Sequence, residues 1–128
     1  MGQDKKTLGI TRENAPILNE LVANGNFGSE LDAAKFAMAV AIEGGVPAGS
    51  AEGTETKWNI GSIDPDGSVR SLLRALYPSV SEPYRLLEYL INEGLQLLLR
   101  RGGKAVDVYE VLFTNRDRAS PGGRGTPG

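Results

Sequence analysis

The chain has 128 residues, 40% hydrophobic and 23% charged, and its 14 Lys and Arg against 16 Asp and Glu leave a net charge of −2. That length suits one hydrophobic core, and the charge balance excludes the bulk basic footprint of a nucleic-acid-coating protein. The absence of cysteine and histidine excludes disulfides, thiolate nucleophiles, zinc sites built on sulfur or imidazole, and Ser-His or Cys-His relays.

The opening MGQDKKTLGITREN has no apolar core after its lysines, so it reads as neither a signal peptide nor a transit sequence. No run approaches the ~18 apolar residues of a membrane helix. The expectation is a soluble, cytoplasmic protein with no membrane association. Over residues 6–11, Leu8 and Ile10 alternate with Thr7, Gly9 and Thr11, which predicts a short half-buried strand. Ile17, Leu18, Leu21 and Val22 then recur at helical spacing between Arg12 and Asn24, with Pro16 tolerable in the first turn and Gly25 as the stop.

Ser29 stands three residues before Asp32, a variant of the capping box, so a second helix is predicted from Glu30 to about Glu43. Ala33, Ala34, Ala37, Ala39 and Ala41 let a neighbouring backbone approach, while Leu31, Phe36, Met38, Val40 and Ile42 supply volume on several sides. This helix is expected at the centre. Residues 46–61 read as a surface loop leading into a short extended segment anchored by Trp58 and Ile60. The IDPDG turn follows, with Asp66 placed to cap a third helix whose stripe is Val69, Leu72, Leu73 and Leu76.

Ser81 and Pro83 open the last helix, where Leu86, Leu87, Tyr89, Leu90, Ile91, Leu95, Leu97, Leu98 and Leu99 cover most of the circumference. A body this small covers only part of so much apolar surface, which predicts a partner subunit. The candidate contact residues are Leu87, Leu90, Ile91 and Leu98. Beyond Gly103, the run AVDVYEVLF reads as a short strand or a final helical turn. The Gly- and Pro-rich tail 114–128 reads as disordered; its Arg116, Arg118 and Arg124 against Asp117 make a local +2, leaving −4 for the rest. The fold class is mainly α with minor β: an N-terminal strand and four helices in one domain over 1–113, with 105–113 as a second strand on one of its two readings.

No catalytic constellation emerges. Asp64 and Asp66 resemble the opening of a calcium loop, but Gly67 comes too early and Ala75 stands where the twelfth-position glutamate belongs. Glu52 and Glu55 read as solvated loop charges, and the G-x-G-x-x-G spelled by Gly123, Gly125 and Gly128 has no helix after it. Arg70, Arg74 and Arg85 offer an anion-binding face or a solvated helix surface, and Arg100, Arg101 and Lys104 read first as a helix end. A non-enzyme with no cofactor and no metal is the expectation.

The order strand, helix, capped turn, helix over 5–43 resembles the ribbon-helix-helix arrangement of dimeric DNA-binding proteins. The resemblance implies Leu8 and Ile10 in the core, Lys5, Thr7 and Gly9 facing DNA, and the amides around Gly28 and Ser29 on a phosphate. The segment LVANGNFGSELDAAKFAMAVAI, followed later by PYRLLEYLINEGLQLL, is similar to the small accessory proteins of DNA-phosphorothioation (Dnd-type) defence systems. That similarity implies a non-catalytic, DNA-associated accessory role. The alternative is a structural or adaptor protein acting through homo- or hetero-oligomerisation of the last helix, a homodimer first. DNA and a protein are the candidate partners.

Overall fold

The computed structural model describes residues 4–102. Their elements run β1 (Thr7–Thr11), α1 (Ala15–Ala23), α2 (Glu30–Glu43), β2 (Thr54–Asn59), α3 (Ile60–Ile63), α4 (Ser68–Leu76) and α5 (Pro83–Gly102). The architecture is mainly α with minor β. Among the described residues, no helix is long and apolar enough to cross a membrane. The segments 105–113 and 114–128, expected as a strand or helical turn and as a disordered tail, lie outside the described residues.

The centre of the fold is the pair α2 and α5. Ala33, Ala34, Ala37 and Ala41 present a smooth, fully buried face, and Gly94 meets it with its backbone: a Cβ there would stand 1.8 Å from the Ala37 carbonyl oxygen. Only glycine permits that approach. The remaining sides of α5 are covered by β1, α4 and α1. Leu86, Leu87, Leu90, Ile91, Leu95 and Leu98 are all buried as a result, each contributing roughly 1.5–3 kcal/mol.

The two strands form an antiparallel pair with Leu8 opposite Trp58 and Ile10 opposite Glu55, interrupted by a bulge between Leu8 and Gly9. The extended segment expected near Trp58 is therefore a partner strand for β1, and Ile60 begins a single additional helical turn, α3. At the bulge the chains are close: a Cβ on Gly9 would lie 2.6 Å from the Glu55 carbonyl oxygen.

Helix ends are closed as the sequence predicts at α2, where Ser29 Oγ accepts from the Asp32 amide at 3.2 Å. Elsewhere the caps come from further away. Asp4, ahead of β1, accepts from the Tyr84 and Arg85 amides at 2.8 and 2.9 Å and so closes the start of α5 from eighty residues upstream. At α4 the expected Asp66 takes the Ser68 amide, but Asp64 takes the next two, Val69 and Arg70, at 2.9 and 3.1 Å.

Candidate interaction surface

β1 is bound on both edges. One edge pairs with β2; the other is met by side chains one turn apart on α5. Glu88 Oε2 accepts from the Gly9 amide at 2.8 Å and from Thr54 Oγ1 at 3.0 Å. Asn92 Oδ1 accepts from the Thr11 amide at 3.0 Å, and its Nδ2 donates to the Gly9 carbonyl at 3.1 Å and to the Glu88 carbonyl at 2.8 Å. Asn14 donates to Asn92 Oδ1 at 2.9 Å and accepts from Gln96 at 2.7 Å. Glu88, Asn92 and Gln96 thus form a polar seam along α5 that replaces a neighbouring strand. Glu88, Asn92 and Asn14 are almost wholly buried, and Lys5 Nζ lies 3.5 Å from Glu88 Oε1, which compensates its charge.

This geometry corrects two expectations. Gly9 does not face outward; it is buried between Glu55 and Glu88. A ribbon that pairs across a dimer needs a free strand edge, and β1 has neither edge free. Leu87, Leu90, Ile91 and Leu98 are likewise not an exposed oligomer face, because all four are completely buried by the chain's own elements. The apolar excess of α5 reflects its central position.

The remaining residues singled out by sequence are scattered. Lys5 is tied to Glu88, Thr7 is half-buried opposite Asn59, and Gly28 and Ser29 are exposed at the start of α2. There Glu30 and Asp32 already occupy the first turn, and their negative charge opposes a phosphate at the positive end of the helix. Glu55 pairs with exposed Arg12, and Arg85 with Glu82. Asp64 is engaged by two amides and by the Tyr84 hydroxyl at 2.8 Å. Among the described residues no group of three or more acidic side chains is placed to hold a metal ion.

What stays open is α4. Leu73 anchors it in the core and Val69 is half-buried, but Leu72 and Leu76 are 44% and 48% exposed. At about 100° per residue, Leu72 and Leu76 lie on one flank of the buried seam and Arg70 and Arg74 on the other. Ser68, Ser71 and Ala75, all exposed, line the outward face between them. Among the described residues neither guanidinium has an ion-pair partner. The helix is held firmly: Asp64 caps its start, and past its end the Tyr77 hydroxyl donates to the Val46 carbonyl at 2.8 Å. The sequence contained the signal for this face, since Leu72 and Leu76 extend the apolar stripe beyond what one buried seam can cover.

Compared with protein-family models, with curated proteins and with solved structures, the chain has no significant match.

Proposed function

We propose that this protein is a non-catalytic adaptor that binds another protein through the outward face of α4. The observation that carries the reading is the exposure of Leu72 and Leu76, one turn apart on a helix hydrogen-bonded at both ends, whose other flank bears Arg70 and Arg74, neither in an ion pair among the described residues. Small residues down the middle of the face let a partner backbone approach. The leucines ask for apolar side chains on one side of that partner, and the arginines ask for carboxylates on the other.

A photo-crosslinking residue at Ser71 tests this in cells. The expected result is a discrete adduct that Arg70→Glu with Arg74→Glu abolishes and that the same probe at Glu20, exposed on α1, does not form. Adducts that survive the charge reversal, or arise equally from both positions, overturn it.

A DNA-associated accessory role is the second reading, and the same exposed Arg70 and Arg74, without ion pairs among the described residues, favour it. It requires binding of a labelled duplex at low salt that weakens steeply as salt rises. The adaptor reading predicts no duplex binding even at low salt.

A further inference from the structure

The chain itself carries a segment with the chemistry that α4 asks for. Residues 105–113, AVDVYEVLF, combine Val106, Val108, Tyr109, Val111, Leu112 and Phe113 with the carboxylates of Asp107 and Glu110. We propose that this segment folds back in cis onto the outward face of α4 and shields it until a partner displaces it. The proposal rests on the adaptor reading and adds a regulatory element to it.

Three observations support the assignment. The first is orientation. Tyr84, in the first turn of α5, donates to Asp64 at the start of α4. Tyr77, just past the end of α4, donates to Val46 in the stretch 44–49, which runs from Leu97, beside Gly44, to Tyr89, beside Gly49. α4 therefore ends level with the part of α5 between Tyr89 and Leu97.

The second is reach. From Gly102, that level lies roughly 8 to 20 Å back along the helix at ~1.5 Å per residue, with a further ~10 Å across to a packed neighbour. The straight-line distance is about 13–22 Å, which four to seven extended residues span at ~3.3 Å each, so the stretch that begins at 103 crosses it and leaves at least 110–113 to lie along the face. The third is complementarity. Leu72 and Leu76 are the large hydrophobic side chains left exposed among the described residues. The opposite flank presents Arg70 and Arg74, neither in an ion pair among the described residues, and the segment brings two anions and a run of apolar side chains.

Cysteine is absent from the chain, so Ala75→Cys in the 128-residue chain gives a single site for a nitroxide in the middle of the face. At about 0.1 mM, well below the millimolar effective concentration of a short tether, a contact in cis outcompetes one in trans. The expected result is an attenuation of about twofold or more in the amide signals of 106–113. Asp107→Lys with Glu110→Lys restores them, and a mixture of spin-labelled unenriched chain with isotope-enriched unlabelled chain leaves them unaffected. Attenuation in the mixture, which signals exchange between copies, overturns the proposal, as does its absence in the single chain or its persistence after charge reversal. These outcomes are separate from the fate of the adaptor reading. Attenuation without a Ser71 adduct makes the segment a part of the fold, and an adduct without attenuation leaves the adaptor standing with its face unshielded.

Discussion

Asn92 joins three parts of the chain with one amide group, taking the Thr11 amide and the Asn14 side chain on its oxygen and giving its protons to the Gly9 and Glu88 carbonyls. Leucine at this position matches it in size but leaves the Thr11 amide and the Gly9 carbonyl on the edge of β1 without partners. Asn92→Leu is therefore expected to cost about 3 kcal/mol, read as a lower urea midpoint; a loss under ~1 kcal/mol contradicts the clamp. Tyr84 makes a different test. Burial first, then the hydrogen bond and negative charge of Asp64, push it up to about 12, with Arg70 acting in the opposite sense. Because the folded value lies above the ordinary one near 10, its contribution is complete below pH ~10 and is lost as pH rises through about 12. Tyr77, raised by burial, acts with the same sign. Tyr84→Phe is expected to flatten part of the alkaline fall in unfolding midpoint between those limits; an unchanged profile contradicts the assignment.

At the scale of elements, the contact between α2 and α5 depends on Gly94. Gly94→Ala places a methyl carbon inside the Ala37 carbonyl, so the helices must separate along their fully buried face, at an expected cost of about 3 kcal/mol or more. A thermal midpoint within a degree or two of wild type would show that the pair has slack. Much of this level was legible in the sequence. Apolar spacing predicts α1, α2, α4 and α5, the alanines place α2 centrally, and Ser29 caps it as expected. The pairing of β1 with β2 was not legible, because Thr54–Asn59 has few apolar residues and its partner lies more than forty residues away. Nor was the cap that Asp4 provides to α5, since capping from such a distance leaves no local pattern.

For the whole molecule, apolar composition alone could not separate a helix buried by its own chain from one buried by a partner. Leu87, Leu90, Ile91 and Leu98 are covered from within, and the surplus lies instead on α4, where two leucines of the predicted stripe exceed what the core can absorb. A ribbon-like reading of β1 fails for a related reason: pairing with β2 and the polar seam of α5 consume both strand edges, and neither is signalled near β1 itself. The central claim is that Leu72 and Leu76 serve recognition rather than folding. The most direct test is Leu72→Ser with Leu76→Ser in the 128-residue chain, measured for stability and for crosslinking from Ser71 in the same preparation. We expect a stability loss of about 1.5–3 kcal/mol, because the buried half of each side chain is worth roughly half of a full leucine burial, together with loss of the adduct from a chain that stays folded. A large loss of stability, or an undiminished adduct, would contradict the account.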